Sequence, residues 1–253
     1  MRTIYNKIFL VLLTGLLFAA CEENAIPELA EPLPDSATEA KFFFHVEEAP
    51  EANFYVAGQK ATSAASTDET LKGFNYGSIF PSNAYAVVES GDVDIVAETL
   101  EGEALATTSA NFEEDSNYSV YLVGTTNAYE IFVMEDELPE VDTERIYWRF
   151  VNTMAEMPFS VDAYAVRGGE DPAVISLGNN LDFKQAGDYV ALDPGNYTFK
   201  VFESGSEYDP ETSEPYIQHS LNLSSMGRIY STQIRGTYSE TPASSNIDYW
   251  REY

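Results

Sequence analysis

The chain is short of cysteine, histidine and positive charge. Its 253 residues hold one Cys, two His and 13 Lys+Arg against 42 Asp+Glu, a formal charge of −29. A lone cysteine excludes a disulfide framework and every cysteine-rich zinc pattern. So acidic a chain repels nucleic acid and anionic lipid headgroups, and no nucleic-acid partner is expected. His45 and His219 have no His or Cys at metal spacing. His219, in Ile217-Gln218-His219-Ser220-Leu221, reads by alternation as a surface strand residue. There is no G-x-S-x-G elbow, no S-x-x-K arrangement and no glycine-rich phosphate loop. No catalytic residue, metal site or cofactor is therefore expected.

What the chain has in quantity is apolar and aromatic: 44% hydrophobic, with 17 Tyr and 15 Phe. That is too much for a disordered acidic chain and leans toward strands. The N-terminus adds a distinct signal. Arg2 and Lys7 precede an apolar run from Ile8 to Ala20. Thirteen residues make roughly 20 Å of helix, short of a ~30 Å hydrocarbon core, so residues 1–20 read as a signal peptide. The run closes on Leu17-Phe18-Ala19-Ala20-Cys21. This resembles the bacterial lipobox, which implies cleavage before Cys21 and its lipidation, palmitate included. Acyl chains add about 0.8 kcal/mol per buried CH₂, so such an end anchors while the body stays in water. Residues 21–40, with Pro27, Pro32 and Pro34 among acids and no base, read as an acidic tether. Acids directly after the cysteine resemble the surface-export signal of Bacteroidetes lipoproteins. The implied location is the outer membrane, lipid-anchored and facing outward.

Sliding the chain by 104 residues brings Tyr85 over Tyr189 and Gly91 over Gly195. Asn117-Tyr118-Ser119 answers Ile229-Tyr230-Ser231 at a shift of 112, and the extra residues fall in a loop over Ser204–Pro215. Each copy alternates with period two, as in Val93-Asp94-Ile95 and Tyr197-Thr198-Phe199. Asp193-Pro194-Gly195 and Ser90-Gly91-Asp92 are turns. The expectation is an all-β chain of two tandem antiparallel β-sandwiches, immunoglobulin-like, over residues 41–134 and 145–238. An acidic linker at 135–144 joins them, and an aromatic tail follows at 239–253.

The series Arg149-Phe150-Val151-Asn152, Val161-Asp162-Ala163-Tyr164, Tyr189-Val190-Ala191-Leu192-Asp193-Pro194-Gly195 and the late Tyr230 strand resembles domain of unknown function 4397. That family occurs in bacterial cell-surface proteins, often in tandem. The resemblance spans most of residues 41–238, with the first copy more degraded. It implies an all-β extracytoplasmic module and nothing catalytic.

The functional expectation is a non-catalytic surface binding or adhesion module for polysaccharide or protein. The alternatives are a carboxylate-dependent glycan hydrolase and a calcium-dependent spacer. Calcium would use Glu135-Asp136-Glu137 or Asp209 with Glu211. The insertion and the tail single out Tyr208, Tyr216 and Trp250 as ligand contacts, since loops tend to carry function on such scaffolds.

Overall fold

The computed structural model describes residues 36–64, 72–126 and 128–252. Cys21, the run before it and most of the tether lie outside these residues. The first half contains β1 (Ala37–Phe44), β2 (Ala52–Val56), β3 (Gln59–Lys60), β4 (Ile79–Phe80), β5 (Ala86–Glu89), β6 (Gly91–Thr99), β7 (Ala104–Phe112), β8 (Asn117–Thr125) and β9 (Ala128–Glu135). The second contains β10 (Ile146–Ala155), β11 (Val161–Arg167), β12 (Ala173–Leu181), β13 (Gln185–Ala186), β14 (Val190–Leu192), β15 (Gly195–Glu203), β16 (Ile217–Leu223), β17 (Arg228–Thr237) and β18 (Ile247–Arg251).

The two halves repeat one topology. In the first, a sheet of order β4-β1-β8-β9, with β5 also on β1, faces a sheet of order β3-β2-β6-β7. In the second, β13-β10-β17-β18, with β14 on β10, faces β12-β11-β15-β16. The all-β expectation holds, and most pairs are antiparallel. Each half departs from it in one place, because β1 runs parallel to β8 and β10 parallel to β17. Each sandwich closes on its own apolar core, around Phe42, Phe54 and Ile95 in one and Trp148, Phe199 and Val201 in the other.

The strands differ in how they are covered. In β6 and β15, buried and solvent-facing residues alternate, as in a sheet with one wet face. In β8, β10 and β17 almost every residue is buried. A third apolar cluster explains this: Phe43, Tyr121, Val123, Val151 and Trp250 pack together across the two halves. The inner sheets thus have two dry faces, one toward their own sandwich and one toward the other half. Phe43 stacks on Tyr121 at 4.4 Å between ring centroids and meets Trp250 at 4.6 Å.

Two expectations are corrected here. Residues 135–144 are not a free spacer, because Glu135 ends β9 and Asp136 is 3% exposed. Trp250, expected to touch ligand, is 4% exposed and belongs to the seam between halves. Strand parity is the reason: β18 pairs with β17, setting Trp250 toward the other half and Tyr249 toward the rim of its own sandwich, beside His219 and Trp148 and 38% exposed. From Ser36 onward the chain forms one compact unit.

The seam makes a prediction about cooperativity. Phe43→Ala removes a fully buried ring from it and should cost about 3–5 kcal/mol. Calorimetry should show one unfolding transition for the whole chain, lowered as a unit by this change. Two transitions, of which only one moves, would refute the shared core.

Candidate functional site

The most perturbed ionisable groups lie in the seam. Lys41, Asp136, Arg149 and Glu252 are all buried, and they pair across the halves. Arg149 Nη2 donates to Asp136 Oδ1 and, at 3.1 Å, to Glu252 Oε1. Lys41 Nζ donates to Glu252 Oε2 at 3.3 Å and to the Arg251 carbonyl at 2.7 Å. Ser119 Oγ donates to Asp136 at 2.8 Å and Ser231 Oγ to Glu252 at 2.6 Å. The Tyr85 hydroxyl sits between the carboxylates, 2.9 Å from Asp136 and 3.0 Å from Glu252.

The cluster has an approximate two-fold arrangement. Lys41 lies opposite Ser119 in the β1–β8 ladder, and Arg149 opposite Ser231 in the β10–β17 ladder. Lys41 lies over the Tyr85 ring at 4.7 Å, and Arg149 over the Tyr189 ring at 4.6 Å. Ser119 pairs with Met134 and Ser231 with Trp250, so Asp136 and Glu252 follow at the same place in each half. Each half therefore supplies one cation, one carboxylate, one serine and one tyrosine.

Burial sets the protonation of these groups. It pushes Asp136 up to about 6, with Arg149 pulling it back and Glu252 adding to the rise. Burial also works to raise Glu252, but Arg149 and Lys41 outweigh it and hold this carboxyl below its ordinary value. Burial lowers Lys41, with Glu252 opposing. His45 is fully buried, and burial, helped by Arg235, keeps its imidazole neutral. Its Nδ1 lies 2.8 Å from Thr153 Oγ1, whose proton goes to the Ile234 carbonyl at 2.7 Å. Nδ1 therefore carries the imidazole proton and donates it to Thr153. These groups are sealed and committed to one another, which suits them to cement rather than to chemistry on a substrate.

The residues singled out from sequence do not converge. Tyr208 lies flat on Phe202 at 4.4 Å between ring centroids, and its hydroxyl bonds Asp162 and, at 3.1 Å, Tyr164. It fastens the insertion loop to its own sheet. Tyr216 donates to the Ser239 carbonyl at 2.9 Å and packs against Phe159 and Tyr238. Both rings are half-buried with their hydroxyls engaged. His219 is not on the surface face; it turns inward, half-buried, with its ring 5.6 Å from that of Tyr249.

The two calcium candidates are also corrected. Asp136 is bound to Arg149, and the Asp209 carboxylate is taken up by Glu211 N at 2.9 Å and Thr212 Oγ1 at 3.0 Å. Among the described residues, no group of three or more His, Cys, Asp or Glu is placed to hold a metal ion.

One accessible hydrogen-bonding surface is the outer face of β12-β11-β15-β16. Asn196 opposes Asn222 and Thr198 opposes Ser220 across β15 and β16, with Nδ2 of Asn222 on Oδ1 of Asn196 at 2.7 Å and the two hydroxyls 2.8 Å apart. Beside them runs an open groove of about 350 Å³ that includes Gly168 and Leu221. A smaller hollow of about 170 Å³ shares Leu221 and Asn222 and is walled by Tyr249. Exposed Tyr249 stands next to the residue favoured from sequence, and strand parity was the signal that would have chosen it.

The family model of a domain of unknown function (DUF4397) matches residues 41–166, and over that stretch the chain resembles modules of that family. The match takes in the first half with β10 and most of β11, short of the expected 41–238. No curated protein matches the chain. Among solved structures, a family 41 carbohydrate-binding module from streptococcal virulence factors, described for α-glucan recognition, is 12% identical. The likeness covers 79% of this chain and 93% of that one at a TM-score of 0.23. A family 26 module from Eubacterium rectale Amy13K, in complex with maltoheptaose, is 10% identical over 82% of this chain and 99% of its own, with a TM-score of 0.24.

Breaking the buried cluster should be costly and repairable. Arg149→Met strands Asp136 and should destabilise by about 3–5 kcal/mol, while Arg149→Met with Asp136→Leu should recover much of the loss. Urea unfolding measures both. The acid side follows from the directions above. The folded state holds the Asp136 proton above its ordinary 3.8, so stability should fall as pH rises from there to about 6. Glu252 is depressed below its ordinary 4.5, so its contribution is lost as pH falls through its folded value. Asp136→Asn should flatten the fall between pH 4 and 6 in melting-temperature scans; an unchanged slope would contradict the assignment.

Proposed function

We propose that this is a lipid-anchored protein of the cell envelope that binds a surface ligand, polysaccharide or protein, and performs no reaction on it. The observation that carries this reading is the fate of the ionisable groups. The buried carboxylate pair, Asp136 and Glu252, is bonded to Arg149, Lys41, Ser119 and Ser231. A glycosidase needs its two carboxyls facing an open cleft from either side of the scissile bond. The outer β15–β16 ladder offers amides and hydroxyls, which recognise ligands by hydrogen bonding.

The anchoring part rests on the Leu17–Cys21 run, the chain's only cysteine and the acidic stretch that follows. Acyl chains at Cys21 hold one end at the membrane while a body of this negative charge is held off anionic lipid. The location that fits is the outer membrane, with the body facing outward.

Two measurements test the reading. Cys21→Ser should abolish labelling by a clickable palmitate analogue and move the protein out of the membrane fraction; retained labelling would refute the anchor. The full chain in mild detergent should bind members of a glycan or surface-protein panel without degrading them. Turnover of a polysaccharide would overturn the non-catalytic reading.

A further inference from the structure

The halves share a topology but not a surface, and the difference falls on one ladder. In the first half, β6 and β7 place Asp92 opposite Asn111 and Asp94 opposite Ser109. Each acid accepts one bond from its partner, at 2.7 and 2.6 Å, and stays exposed. The same ladder positions in the second half hold Asn196 opposite Asn222 and Thr198 opposite Ser220. No carboxylate occurs in β12, in β16, or from Tyr197 to Phe202, although the chain has 42 acids. Asp162, the carboxylate on β11, is buried under Tyr208 and bonded by Asn180 N at 2.6 Å. An acidic protein thus keeps this stretch of β15 and β16 free of carboxylates, and the acidic insertion loop reaches the sheet only beyond it, where Lys200 Nζ bonds the Pro210 and Glu211 carbonyls.

We propose that the ladder of Asn196, Thr198, Ser220 and Asn222, together with the rim past the β16 edge where Tyr249 stands, is a binding site for a neutral polysaccharide. The proposal rests on the non-catalytic binding reading above and names its ligand class and place. Amide and hydroxyl pairs keep spare donors and acceptors after bonding each other, and these match the vicinal hydroxyls of a sugar. The groove is open along the strands, which suits a chain rather than a compact small molecule. Leu221 and Asn222 also line the neighbouring hollow walled by Tyr249, whose partly exposed ring provides a stacking surface for the apolar face of a pyranose. Charge decides the class: a neutral polymer meets no carboxylate on this ladder, while the acidic remainder of the protein, the insertion loop included, repels uronate or sulfate polymers.

Affinity electrophoresis of the full chain in mild detergent, through gels containing laminarin, mannan, xylan or polygalacturonate, tests this. Retardation is expected in at least one neutral gel and not in polygalacturonate. The double variant Thr198→Asp with Asn196→Asp copies the first half's ladder, which tolerates those acids, and should weaken binding roughly tenfold or more at an unchanged melting temperature. Tyr249→Ala should weaken it to a similar degree. If the parent binds a neutral polymer and the double variant binds equally well, the site is overturned while the binding reading stands. If the parent is retarded by no neutral polymer, or only by polygalacturonate, the ligand class falls; binding to a surface protein instead would leave only the broader reading.

Discussion

Four ionised side chains are removed from water where the two sandwiches meet, and the rest of the architecture is arranged around keeping them there. Each buried ion costs several kcal/mol of lost hydration, and mutual attraction offsets this only when the remaining donors and acceptors are also satisfied. Here the serines and Tyr85 supply the missing bonds, and tyrosine rings cover both cations. Lys41 finds its carboxylate in the opposite half, and Arg149 bonds one carboxylate from each half, so the first half's cation has no buried partner without the second. The apolar contacts of Phe43, Tyr121 and Trp250 add adhesion, while the charges fix which way round the halves meet.

Much of the fold was legible because period-two alternation and turn chemistry are local properties. The internal likeness was legible too, and the aligned pairs Tyr85 with Tyr189 and Ser119 with Ser231 belong to the cluster itself. The seam was harder to read, since an acid run such as Glu135–Glu137 gives no sign that its middle member is buried. A usable signal was present in the strands, as Phe42-Phe43-Phe44 and Val120–Val123 show no alternation, the mark of a strand covered on both sides. The tail shows how narrow the margin is. Tyr249 and Trp250 are adjacent aromatics, and only the register of β18 on β17 decides which faces solvent.

The halves differ where they meet solvent, and in the buried cluster between them they keep the same signs of charge. Lys41 and Arg149, or Asp136 and Glu252, differ in length but not in sign, because a reversed charge would leave an unpaired ion in a dry seam. On the outer ladders, exposure relaxes that demand, and Asp92 and Asp94 correspond to Asn196 and Thr198. A surface role assigned to one half therefore does not transfer to the other, despite their common topology.

The parallel pairing of β1 with β8, and of β10 with β17, has a consequence in time rather than in space. Thr38 bonds Ser116 over a separation of 78 residues, and Lys41 reaches Glu252 over 211. Contacts so distant along the chain form only after long loops have been closed, and domains dominated by them fold slowly. Until the seam forms, two broad apolar strand faces and their unpaired charges stay exposed to neighbouring chains. Crowding of newly made molecules is then the hazard this architecture faces, and the many carboxylates around its outside, all of one sign, keep such molecules apart while they finish.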